Sequence, residues 1–296
     1  PGSSTKQNER LTMVDNTGKV MREVVVKELW SYPVKGCQGV AVDSLQITKR
    51  GIVGDRIFSL WEEGGALVSQ KETPKIASIA ARFSPETGVL ELSHATHGAY
   101  QHSVRFEGDR LASKWVLDKF ETIDQGDEVA EWLSILLEKN VRLVTPDQPW
   151  KIVFPHPLLK RVHDSAKQKF FAASEVSLAN RASLDDLNSR LESPVPMDRF
   201  RMNVIVDGID AYEEDEMDTL GNENVELLQV CAAERCVIIA TDQKTGDRPK
   251  NNILQVLGEY RRRSAETKFS SGLLFGNYMT VGREGFLHVG DRLSFA

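Results

Sequence analysis

The sequence predicts a β-rich α+β fold in two parts, and three observations predict it. Short apolar or alternating runs recur along the chain, among them "VAVDSLQIT", "RIFSLWEE", "KIASIAARF" and "GVLELSH" early and "MNVIVDG", "VELLQVC", "CVIIAT", "NYMTV" and "DRLSFA" late. Gly, Pro and charged turns separate them, which is the spacing of strands in a β-rich domain. Two stretches, "DEVAEWLSILLEKN" and "SLDDLNSRLE", instead carry their apolar residues on one helical face. Between the strand-rich halves, "VTPDQPWKIVFPHPLLK" holds Pro146, Pro149, Pro155 and Pro157 and reads as a linker, with the boundary near residue 150. At 296 residues and 41% hydrophobic content the chain can bury real cores.

Taken in order, residues 1–21 are polar, with a turn-like Asn16-Thr17-Gly18, and read as a flexible N-terminus. The opening Pro1-Gly2-Ser3-Ser4 reads as a cloning remnant, so an anchor or targeting segment could precede this sequence. Val24, Val25, Val26, Leu29 and Trp30 suit a first strand. Pro33 ends its pairing, because proline cannot donate to a ladder and restrains the residue before it. Val129, Trp132, Leu133, Leu136 and Leu137 form the stripe of a helix whose first turn carries Asp127 and Glu128 at the favourable end of the dipole. That helix closes the first domain, residues 22–149. In the second, residues 150–296, Ser183 and Asp186 are spaced as an acidic variant of a capping box ahead of Leu184, Leu187 and Leu191.

Composition excludes several classes. A formal charge of -6 argues against a general nucleic-acid binder, which needs a basic surface to neutralise phosphates. No stretch approaches the roughly 20 apolar residues of a membrane helix, and no apolar signal core opens the sequence. Three cysteines, Cys37, Cys231 and Cys236, are odd in number and too few for a disulfide framework. They point to a reducing compartment, cytoplasmic or otherwise intracellular.

Cys231 and Cys236 admit four readings: a zinc clip, a redox pair, a buried strand, or one thiolate held for a ligand. Zinc usually takes four nitrogen or sulfur ligands in CxxC or HxxxH pairs, whereas the six histidines here are scattered away from the cysteines. A dithiol centre would more naturally show CxxC. Cys231 continues the pattern of "VELLQVC", as a small buried residue would. Cys236 follows Glu234 and Arg235, which break that pattern, and an adjacent arginine favours the thiolate that bonds soft metals.

Six motifs carry a resemblance: "YPVKGCQG" at 32–39, "GDRIF" at 54–58, "LNSRL" at 187–191, "RFRMNVIVDG" at 199–208, "ERCVIIATDQKTG" at 234–246 and "LFGNYMTV" at 274–281. In this order they resemble proteins with an N-terminal MOSC β-barrel domain followed by a MOSC domain, and among these the mitochondrial amidoxime-reducing components and their bacterial relatives. The likeness runs over residues 22–296. It implies an N-terminal barrel-like domain with a helix, then a MOSC β-barrel with peripheral helices. It further implies a molybdenum-molybdopterin cofactor whose metal takes one sulfur from the protein, a position matched by Cys236, which is then both catalytic and the metal ligand. Lys35, Gly36, Arg56, Ser174, Arg201 and Asn203 match cofactor-contacting positions. A phosphate-bearing pterin calls for cationic and amide groups from several segments, and Arg201 and Asn203 would share one face if they lie on a strand. The family often has serine where Gly36 stands and proline where Met202 stands; the Gly36 backbone N–H can still serve an anion.

The activity so implied is a molybdenum-dependent oxidoreductase that takes oxygen from N-hydroxylated compounds such as amidoximes and hydroxylamines. Its electrons come from an external donor, cytochrome b5-like or iron–sulfur with a flavin reductase, because the cysteines are too few for a cluster beside Cys236. The acidic run "YEEDEMD" at 212–218 reads either as a docking patch for that donor or as a solvated loop. Two rival readings stand: a sulfur carrier working through a Cys236 persulfide, and a cofactor-binding protein without turnover. A monomer is expected.

Overall fold

The structure is a computed structural model describing residues 13–14, 20–62, 64–115, 118–147, 172–262 and 272–295. The linker expected near residue 150 and the turn at Asn16–Gly18 lie outside the described residues. Seven strands close a barrel. Strand Val20–Ser31 pairs with Val204–Asp207, which runs parallel to Val176–Asn180. Leu273–Arg283, Glu226–Arg235, Thr219–Gly221 and Arg292–Phe295 follow, and the last returns to Val20–Ser31. The barrel therefore draws a strand from the beginning of the sequence as well as from its second half. Alternation fills it: Val24, Val26, Leu178, Val206, Leu227 and Met279 are buried in one core cluster, while Lys27 points to solvent.

A second core lies between residues 34 and 143, where Phe58, Leu60, Ile76, Leu92, Leu133 and Leu143 pack together. It gathers a four-stranded sheet, a three-stranded sheet of Ala80–Ser84, Val89–His94 and Gly98–Ser103, and helix Asp127–Leu137. That helix buries Val129, Leu133, Leu136 and Leu137, the stripe the sequence marks, and stops at Glu138 in the left-handed conformation. A third cluster covers the outside of the barrel, where Leu184, Leu187, Val256 and Leu257 bring in helices Arg181–Arg190 and Ile253–Tyr260. None of the three described helices is long and apolar enough to cross a membrane.

Several sequence expectations are corrected. Met13 and Val14 pair with Met21 and Val20, so part of the polar N-terminus is strand. Helix Arg181–Arg190 is capped by Asn180, whose side chain accepts from the Ala182 N–H at 3.1 Å, not by a box at Ser183. Ser183 is buried and donates to the Glu214 carboxylate at 2.6 Å. Replacing Asn180 with alanine removes this cap and the bond from Nδ2 to the Asp210 carbonyl. The expected cost is about 1–2 kcal/mol, read from urea unfolding. The acidic run is tied to the fold in part: Glu213 pairs with Arg22, Glu214 is fully buried and Asp215 meets Arg261 at 2.5 Å, while Glu216 and Asp218 stay exposed. Burial raises the Glu214 carboxyl, and the Ser183 hydroxyl partly offsets that. Finally, "CVIIAT" is not a strand. The strand stops at Arg235, and Val237–Ala240 turn into a short 3-10 helix.

Candidate functional site

That break in the strand places Cys236 on the wall of a cavity of about 320 Å³, where the barrel meets the second core. Lys35, Arg56 and Lys71 line it from the second core's side, and Ser174, Ser177, Arg199, Arg201, Asn203, Arg235, Cys236 and Tyr278 from the barrel's side. Among the described residues, six cationic side chains, Lys35, Arg56, Lys71, Arg199, Arg201 and Arg235, thus share the cavity with one carboxylate, Glu234, and one thiol. In a chain of net negative charge, such a concentration gives the cavity a local field that favours anions.

The cations come from tight local structure. The Lys35 N–H bonds the Phe58 carbonyl at 2.8 Å. Arg56 and Arg201 have φ of 50° and 55°, two of only four described non-glycine residues in that region. Left-handed backbone costs a residue with a Cβ about 1–2 kcal/mol and persists where surroundings enforce it. Here the enforcement is visible. Arg56 donates to the Arg201 carbonyl at 2.7 Å and the Asn203 side-chain oxygen at 3.1 Å, and it pairs with Asp55. Both guanidinium carbons lie over the Tyr32 ring, at 4.5 and 4.6 Å, so its π face offsets repulsion between two like charges.

Burial pushes the Lys35 ammonium down to about 7, and Arg56 and Arg201 repel it further. Burial also brings Arg201 down to about 10, with Arg56 adding to the effect. A Cys236 thiolate acts oppositely, favouring charged Lys35 and Arg235. Arg235 works as a strut. It donates to the Phe275 and Phe200 carbonyls at 2.9 and 3.0 Å, and so fixes the strand end that presents Cys236. Gly276 permits this close packing: its φ is 68°, and a Cβ there would stand 2.2 Å from Met202 Cε.

Lys35, Arg56, Ser174, Arg201, Asn203 and Cys236 all reach the cavity. Gly36 does not line it. Its φ of 87° and the 2.5 Å separation between an added Cβ and Ile76 Cδ1 explain the missing side chain, and its carbonyl accepts from Gln70. Ser174 donates its hydroxyl to the Val176 carbonyl at 2.9 Å. Asn203 spends both amide hydrogens on the Trp30 carbonyl and Asp55, while its oxygen accepts from Ser177 and Arg56. Asn203 therefore braces the cations. Nor do Arg201 and Asn203 share a strand face: Arg201 ends a 3-10 turn, and the strand begins at Val204. Cys231 sits mid-strand beside Tyr278 and is only partly buried. Sequence reasoning missed Lys71, Ser177, Arg199, Tyr278 and the anchor Asp55, although Asp55, Arg199 and Tyr278 stand inside the six motifs.

Residues 23–140 match the MOSC N-terminal beta barrel domain, and residues 161–294 match the MOSC domain. The chain is 30% identical over 287 residues to the mitochondrial amidoxime reducing component 2 of Rattus norvegicus, covering 90% of this chain and 81% of that one. The chain belongs to the MOSC-domain family of the amidoxime-reducing components. Its likeness to Bos taurus component 2 is 29% over 282 residues, and to Homo sapiens component 1 it is 29% over 295 residues, each covering 90% of this chain and 81% of the relative. The MOSC match spans every barrel-side residue of the cavity, and the N-terminal match spans Lys35, Arg56 and Lys71.

Proposed function

We propose that this protein is a molybdenum-cofactor-dependent oxidoreductase that reduces N-hydroxylated compounds, with Cys236 as the protein's ligand to the metal. One observation carries the reading: a single thiol stands in a cavity rich in lysine and arginine, and the relatives are named for reducing amidoximes. The donor set fits a metal that arrives already held by its own cofactor. No described group of three His, Cys, Asp or Glu could hold a metal ion unaided, whereas the one thiolate of Cys236 would suffice for a metal that the pterin already holds. Lys35, Arg56 and Arg201 supply charge-assisted donors for the anionic end of the pterin.

When bound, the cofactor supplies the two-electron redox chemistry. The chain's own part is to hold and orient. Arg235 fixes the strand end at Cys236, Asn203 and Asp55 set Arg56, and Lys35 Nζ, whose ammonium burial pushes down to about 7, would hold its proton more firmly with an anion beside it. Electrons would come from an external donor of the cytochrome b5-like or iron–sulfur kind.

The test is metal and pterin analysis of protein expressed with cofactor biosynthesis intact, followed by benzamidoxime reduction with an artificial electron donor. About one molybdenum and one pterin per chain with turnover is the expected result. Loading without turnover would leave a binding protein. Absence of both, with a persulfide found on Cys236, would replace the proposal with sulfur transfer.

A further inference from the structure

Beside the cavity, two loops from the two sides of the molecule are joined by a buried amide pair. Gln70 Nε2 donates to Gln243 Oε1 at 3.0 Å, and Gln243 Nε2 donates back to Gln70 Oε1 at 3.2 Å. The two side chains are 1% and 2% exposed, so each is held where an unmade hydrogen bond is costly. The pair is connected at both ends to the cationic wall. Arg201 Nη1 donates to Gln243 Oε1 at 2.9 Å and to the Cys37 carbonyl at 2.6 Å. Gln70 Nε2 also donates to the carbonyl of Gly36, next to Lys35, at 2.5 Å. Gln38 Nε2 donates to the Gln243 carbonyl at 3.1 Å, and Arg248 bonds the Lys71 carbonyl at 2.9 Å. At Gly246 a Cβ would stand 2.8 Å from Lys75 Cα, so the loops touch backbone to backbone.

We propose that Gln243 is a positioning residue: with Gln70 it clamps the seam and aims Arg201 into the anion site, setting Arg201 and Lys35 relative to each other. The inference rests on the reading of the cavity as an anion site, but not on turnover. An arginine whose Nη1 is tied to two fixed oxygens keeps its remaining donors pointed at the ligand and loses little freedom on binding. Gln243 touches no ligand itself, since it is absent from the cavity wall.

The test is an NMR-monitored titration of inorganic phosphate into cofactor-free protein, comparing wild type, Gln243→Met, Gln70→Met, Arg201→Lys and the double variant Gln243→Met/Arg201→Lys. Methionine keeps the length of glutamine and removes its hydrogen bonds. Affinity in Gln243→Met should fall about tenfold, the worth of a hydrogen bond to a charged group. Gln70→Met should show the same loss, and this keeps the question answerable if Gln243→Met fails to fold. In the Arg201→Lys background the further loss from Gln243→Met should shrink below about twofold, because the partner it aims is gone. An unchanged affinity in both glutamine variants, or an equal loss in the two backgrounds, overturns the positioning role while the anion site stands. A wild type that binds no phosphate overturns both.

Discussion

Replacing Cys236 with alanine is expected to abolish benzamidoxime reduction and leave the protein folded. The loss should be complete within detection, at least about a thousandfold, because the thiolate is the chain's sole bond to the metal in the proposed function and no neighbouring group can replace it. Among the cavity residues only Cys236 offers a soft donor: Cys37 is fully buried, with its thiol pushed up to about 12, and Cys231 lies mid-strand away from the lining. The fold should tolerate the change. Cys236 serves the structure through its backbone, whose carbonyl accepts from the Ile239 N–H at 3.2 Å, and Arg235 holds the strand end without it. Unfolding midpoints of the two proteins should agree, with the variant retaining pterin through Lys35, Arg56 and Arg201 but losing turnover. Residual activity near wild type in the loaded variant would remove Cys236 from the metal. Cys231→Ala should leave turnover essentially unchanged, since Cys231 lies mid-strand and outside the cavity lining.

The sequence showed where strands lie more clearly than how they close. Alternation in "MREVVVKELWS" and "VELLQVC" exposes buried faces directly, because side chains on a strand point alternately to its two sides. Barrel closure between Val20–Ser31 and Arg292–Phe295 joins the two ends of the chain, a pairing no local pattern encodes. The site was legible as motifs and illegible as a network. Arg56 and Arg201 stood out as residues, yet their left-handed backbones, the Tyr32 ring beneath both and the Asp55 carboxylate behind them become visible only when residues 145 positions apart meet. "CVIIAT" misled for a physical reason: β-branched residues favour strands in general, but the chain must leave the sheet after Arg235 to present Cys236 at the cavity. Helix Ile253–Tyr260 went unmarked because eight residues hold too few turns for a convincing stripe.

Replacing Lys35 with methionine should make the cofactor-free protein more stable near neutrality and less able to bind an anion. The sign follows from the direction of the shift. Lys35 falls from 10.5 to about 7 in the fold. Below pH 7 both folded and unfolded chains carry the proton, and the whole cost of burying the charge is felt. Between about 7 and 10.5 the unfolded chain binds a proton the folded chain has released, so stability rises with pH, with a slope approaching about 1.4 kcal/mol per pH unit. Methionine has no such proton, and the slope attributable to Lys35 disappears. Glu175 titrates nearby with the opposite sense, its carboxyl pushed up to about 7 by burial, so that its contribution falls as pH rises from 4.5. Both proteins share it, and the difference between their unfolding free energies isolates Lys35. Urea denaturation across about pH 6 to 10 should show the variant ahead by a few kcal/mol at the acid end and the gap closing as pH rises. A pH-independent gap would mean that Lys35 carries no strained charge. The gain in stability should come with lost phosphate binding, because the proton that burial disfavours on Lys35 is the one an anion beside it would need.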